Sequence, residues 1–158
     1  MGNAKYNKLG GWLLFYIISM GLTLILSAAS VPSLINMTKD EAVKTASTLY
    51  PQLNFVFWLM ILAAVVSCIF AATGLLFLFQ RKETTPDILQ KLLMANLSVT
   101  VIVGCVVIIS MLTIPSELSR EVAGSNIRNM CIAFSSCLLW YNYFERSVRV
   151  SVFYGVKG

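Results

Sequence analysis

The residues able to do chemistry are few, and their spacing decides against most of it. Four cysteines, Cys68, Cys105, Cys131 and Cys137, all fall inside long apolar runs. Membrane thiol oxidoreductases that hand electrons to quinone need a C-x-x-C pair or an accessible loop thiol. Neither occurs here, and Cys131 and Cys137, six residues apart, point to different faces of a helix. They read as small thiols that pack. There is no histidine, so imidazole metal sites and imidazole acid–base catalysis are excluded. The carboxylates, Asp40, Glu41, Glu83, Asp87, Glu117, Glu121 and Glu145, all lie at or beyond the ends of apolar runs. Proton-coupled exporters of the small four-helix type hold a carboxylate within the membrane, where such a group is expensive and kept only to act. The expected catalytic set is none, the metal set none and the cofactors none. What remains inside the runs is neutral: Asn96, Asn129 and Asn142, and a stripe of Ser19, Thr23 and Ser27 recurring every four residues on one helix face. Such stripes serve close helix packing and interhelical hydrogen bonds, or else line a polar pathway.

The elements that must position these groups are membrane helices. The chain has 158 residues, 58% hydrophobic and 12% charged, against roughly 25% charged in soluble domains. Crossing about 30 Å of hydrocarbon takes about 20 apolar residues. Runs at about 9–31, 53–79, 88–114 and 126–144 meet that length, the last only if its polar start enters the interface. The fold expected is a single all-α domain, an integral membrane four-helix bundle, antiparallel and with short loops. The first run exceeds the length of a signal-peptide core, which favours an uncleaved first helix.

Local signals mark the boundaries. Pro32 is expected to end the first helix and Pro115 the third. Thr38 and Glu41 have capping-box spacing ahead of an amphipathic stretch, predicting an outer surface helix at about 39–49. Thr85, Pro86 and Asp87 make a consistent helix start, with Thr85 as the cap. Ala63, Ser67 and Ala71 form one row on the second run, with Ala64, Cys68 and Ala72 on the next, and Thr100 and Gly104 add another on the third. Small residues in rows let backbones approach. Val31-Pro32-Ser33 and Ile114-Pro115-Ser116 each precede a charged helical stretch, as duplication of a helical hairpin would produce.

Charge orients the bundle. Lys5, Lys8, Arg81, Lys82, Lys91, Arg146, Arg149 and Lys157 fall on one side, against Lys39, Lys44, Arg120 and Arg128 on the other. Both termini, including the tail at 145–158, are therefore expected in the cytoplasm. The net charge of +5 forms no basic run, so the expected partners are the lipid bilayer with its anionic lipids, and no nucleic acid. The last span ends in an aromatic rim at Trp140, Tyr141, Tyr143 and Phe144, then turns basic, as a membrane exit does. Continued as helix, the tail would align Tyr143, Arg146, Val150 and Phe153 along the inner leaflet.

The lead-in Gly10-Gly11-Trp12-Leu13 and the ending Trp140, Tyr143-Phe144, Ser147, Arg149-Val150, Phe153 resemble the family of small bacterial inner-membrane proteins classed as domain of unknown function 2569. The resemblance implies four spans and the inner membrane, and brings no established activity. That family's tail commonly has lysine and threonine where this chain has Val148 and Val152. Gly10, Gly11, Trp12, Tyr143, Ser147, Arg149 and Phe153 form the candidate docking or lipid-headgroup site. The function expected is non-enzymatic binding, as accessory subunit of a membrane complex or as a small homo-oligomer. The alternative is a small carrier or channel using Ser19, Thr23 and Ser27. A polar cleft reaching mid-bundle would favour transport, and a dry bundle with a small-residue groove would favour assembly.

Overall fold

The computed structural model describes residues 11–80, 82–114 and 117–155, with backbone alone at 117, 118 and 149. Among them the helices are α1 (Trp12–Lys39), α2 (Glu41–Leu49), α3 (Gln52–Phe79), α4 (Thr85–Leu112), α5 (Glu117–Arg146) and α6 (Val148–Tyr154). No strand occurs among the described residues. The described secondary structure is all helical, one of the two ways a chain in lipid can satisfy its own backbone. Three helices, α1, α3 and α4, each of 28 residues, are long and apolar enough to cross a membrane. The 30-residue α5 is longer still but carries Arg120, Glu121, Arg128 and Arg146.

Several boundaries differ from the sequence signals. Pro32 does not end the first helix: α1 runs through it to Lys39. Proline removes the N–H that would meet the carbonyl of Ala28, a loss membrane helices tolerate. Packing carries the helix onward, since α1 keeps an extended seam with α3 and also meets α2 at its far end. The cap of α2 is Asp40, not Thr38: the Asp40 carboxylate accepts from the Ala42 N–H at 2.9 Å, while the Thr38 hydroxyl donates back to the carbonyl of Ile35 at 2.8 Å. Thr84 precedes α4 as its cap residue, and Thr85 is already helical and fully buried. The charged stretch at Ser119–Glu121 is the first turn of α5 rather than a separate helix. Buried Ser119 ties that turn to the end of α4, donating to the carbonyl of Ile114 at 2.6 Å. The two outer connections therefore differ. Pro115 lies outside the described residues.

Extended backbone seams join α1 to α3, α3 to α4 and α4 to α5. No comparable seam joins α1 to α5. Two separate cores hold the row together. At the α6 end, Leu13 and Tyr16 of α1 pack with Leu78, Leu89, Trp140, Phe144, Val150 and Phe153. At the α2 end, Leu53 and Val56 pack with Val107, Met111 and Ile114, with Tyr50 and Val122 against them. Outward, the helices present a continuous apolar belt, including Ile18, Ile25, Trp58, Ile69, Leu76, Ile102, Ile132 and Phe134.

The tail does not continue α5. Ser147 adopts φ −82° and ψ 113° and caps α6, its hydroxyl oxygen accepting from the Val150 N–H at 3.4 Å. α6 folds back into the core, burying Val150 to 1% exposure and Phe153 to 7%, instead of extending a face along the leaflet. The Tyr154 hydroxyl donates to the carbonyl of Leu78 at 3.1 Å. Gly155 then ends the helix at φ 71°, a left-handed conformation glycine adopts without penalty. Gly11 sits at φ 61° ahead of α1, which gives the Gly-Trp-Leu lead-in a physical reason: the turn into the helix needs positive φ.

Candidate binding cleft

Because α1 and α5 join only where the α6-end core reaches across, the middle of the row is open. A cleft of about 370 Å³ lies between α1, α3, α4 and α5. Its polar wall is Ser27, Ser30 and Ser33 from α1, Ser67 from α3, and Thr100 from α4, with Asn126 and Asn129 from α5. Ser27, Ser67 and Thr100 stand near the midpoints of their helices, so the cleft reaches the middle of the bundle. Its remaining walls are the small or apolar Ala63, Ala64, Gly104, Leu34, Met60 and Val103, and no charged side chain lines it. The rows assigned to tight helix contact thus partly line open space. Gly104 also serves close packing, since a Cβ there would lie 2.5 Å from the Met130 sulfur.

Hydrogen bonds fix what this wall offers a ligand. The Ser30 hydroxyl donates to the Ser27 carbonyl at 2.8 Å and the Thr100 hydroxyl to the Asn96 carbonyl at 2.9 Å. Both protons are spent on backbone, and the oxygens keep lone pairs as acceptors. The Asn126 amide nitrogen donates to the Val122 carbonyl at 2.9 Å, leaving its oxygen as a further acceptor. Behind the cleft, the Ser67 hydroxyl donates to Asn96 Oδ1 at 3.4 Å, joining α3 to α4. Ser67 also borders a smaller inner cavity of about 30 Å³ shared with Thr23, Asn96 and Tyr16, roomy enough for a water molecule.

The stripe on α1 is divided among three spaces. Ser27 lines the cleft, Thr23 the inner cavity, and Ser19 a groove of about 510 Å³ between α1 and α5. That groove is walled by Phe15, Ile132, Leu139 and Trp140, with Cys131, Ser135 and Ser136. Its far end is closed by rings in edge-to-face contact: Tyr16 stands 4.7 Å from Trp140 and 4.9 Å from Phe144, and Trp12 lies 6.4 Å from Trp140.

Of the candidate docking residues, Gly10 lies outside the described residues, as does the Arg149 side chain. Trp12 is exposed and Tyr143 half-buried, linked through Trp140. Ser147 is occupied as a helix cap and Phe153 is buried in the core. The structure therefore gathers these residues at one end of the bundle, largely as packing. The cysteines are all free; Cys137 is buried, its thiol 3.8 Å from the Met94 sulfur, while Cys105 and Cys131 are exposed. Among the described residues no three His, Cys, Asp or Glu side chains gather as a metal site. The sequence reading passed over Ser30, Ser33 and Asn126. A partial signal was available: Ser30 stands three residues after Ser27 and Ser33 three further on, so all three share one helix face.

Fold and cleft together define a class: a multi-pass, all-helical membrane protein with an uncharged polar cleft in its middle. The family model for "Protein of unknown function (DUF2569)" matches residues 6–154, and the chain belongs to that family. No curated protein matches it. No solved structure matches it either.

Proposed function

We propose that this protein is a non-enzymatic component of the bacterial inner membrane that acts by binding, with the cleft between α1 and α5 as its binding site. In this reading α5 is the fourth span. Its exposed Ile132, Phe134, Leu138 and Leu139 continue the apolar belt of the other three helices, and the charge distribution keeps both termini cytoplasmic. The observation that carries the reading is the cleft itself, concave, of ligand-pocket volume and lined by neutral polar groups; its reach to mid-bundle is the feature expected of a transporter, and a carrier too must bind, so the cleft favours the second reading below as well. Native mass spectrometry of protein released from its own membranes tests it. Wild type is expected to keep a non-covalent adduct that Ala63→Phe, which fills the cleft, loses. Identical spectra for folded wild type and variant would refute it.

The inner cavity around Thr23 and Asn96 favours a second reading, a small carrier, because it extends the polar surface past mid-bundle toward Tyr16. Flux of a solute into reconstituted vesicles, reduced by Thr23→Val, would support this reading. Absence of flux for all solutes tried would leave binding alone.

A further inference from the structure

Resting on the binding reading above, we infer that the cleft takes the uncharged, hydroxyl-bearing head of a single-chain amphiphile, loaded sideways from the bilayer, while the α1–α5 groove takes its chain. The cleft and the groove follow one another along the same pair of helices. Ser27 and Asn129 border the first, Ser19 and Cys131 the second. Both open sideways, because α1 and α5 lack an extended seam. From Cys131 to Trp140 the groove follows about 14 Å of helix at 1.5 Å per residue, which is one leaflet's share of a roughly 30 Å hydrocarbon core. The ring cluster around Trp140 stops it there.

The head's chemistry follows from the wall. Ser30 and Thr100 have given their protons to backbone carbonyls and the Asn126 oxygen is open, while the Ser27 and Ser33 hydroxyls and the Asn129 amide can donate, so the cleft suits hydroxyls that both donate and accept. No cation lines it, and a phosphate placed there would be buried without a counter-charge. A glycerol-like head donates hydroxyls and carries no charge. Its position toward the α2 end, with the chain toward the α6 end, is that of a lipid from the leaflet on the α2 side drawn inward.

The test uses the full chain in phosphatidylethanolamine and phosphatidylglycerol vesicles, with trace monoacylglycerol carrying a mid-chain diazirine. A lysophosphatidate probe of the same chain serves as the charged counterpart. After irradiation, monoacylglycerol adducts are expected within residues 15–19 and 131–140, at least about fivefold above the lysophosphatidate signal. Thr100→Val and Asn126→Leu are each expected to cut that labelling several-fold, while Thr100→Ser retains it, all at unchanged thermal midpoint. Labelling spread evenly over Ile69, Leu76 and Ile102, equal labelling by both probes, or indifference to Thr100→Val in folded protein would each overturn the assignment. If the native spectra still show a cleft-dependent adduct, only the amphiphile falls; if they show none, the binding reading falls with it.

Discussion

The fold-back of α6 makes a quantitative prediction. Tyr154 is 3% exposed and its hydroxyl donates to the carbonyl of Leu78. Leu78 is the second-to-last residue of α3, among the carbonyls a helix end leaves without an internal partner. Tyr154→Phe keeps the ring and removes the donor, so the carbonyl loses that bond in a site closed to water. A buried group left unsatisfied costs about 1–3 kcal/mol, which changes an opening equilibrium by about 5–150-fold. Hydrogen exchange of the intact protein in nanodiscs should therefore show α6 amides exchanging about 5–150-fold faster, with the middle of α3 and α4 unchanged. Phe153→Ala removes a ring that is 7% exposed and should cost about 3–5 kcal/mol, releasing α6 outright. Val148→Ala, at a position 67% exposed, should stay within about 0.5 kcal/mol. Exchange of α6 within twofold of wild type in Tyr154→Phe would refute the lock. So would equal acceleration in every helix.

Other outcomes follow from the packing. At Gly104 an added Cβ would meet Met130 Sδ at 2.5 Å and Cγ at 2.9 Å, whereas at Gly74 its one close neighbour would be the terminal methyl of Met20 at 2.7 Å, with Leu89 Cδ2 in ordinary contact at 3.8 Å. Gly104→Ala should thus lower the thermal midpoint through overpacking of about 1–3 kcal/mol, and Gly74→Ala should lower it less, since a methionine end swings aside. Trp140→Leu removes the ring that contacts Trp12, Phe15 and Tyr16. At about 0.5–1.5 kcal/mol per aromatic pair beyond area, it should destabilise by a few kcal/mol and speed exchange of the first turns of α1, read by mass spectrometry. A reporter fluorescent only in the cytoplasm, fused after the last residue, should light up, while one active only outside should stay silent; the reverse would remove either the fourth span or the orientation.

The helices were legible because three runs exceed the length a bilayer requires and a fourth comes close to it, and because Thr85-Pro86-Asp87 carries a start signal that holds to within a residue. Their arrangement was not. α1, α3 and α4 are apolar on every side, so periodicity does not tell a buried face from a lipid-facing one. Pro32 misled because the rule for proline describes local preference, and the seam between α1 and α3 outweighs it. Ser147 misled because a serine within an aromatic and basic stretch looks continuous with helix, yet its hydroxyl caps a new one. The stripe of Ser19, Thr23 and Ser27 was visible as a face. That the face is split among a groove, an inner cavity and a cleft depends on α5 diverging from α1, which no local spacing encodes.

The α6-end core draws Leu13 and Tyr16 from the first helix together with Val150, Phe153 and Tyr154 from the last. A ribosome delivers those partners at opposite times. Insertion can set each span in lipid as it emerges, but Leu13 and Tyr16 must wait beside hydrocarbon until α6 has been translated and swings in. Assembly therefore waits on translation of α6, and a product stopped before it would carry its defect at the same end as its missing residues, where cytoplasmic proteases reach if the proposed orientation holds.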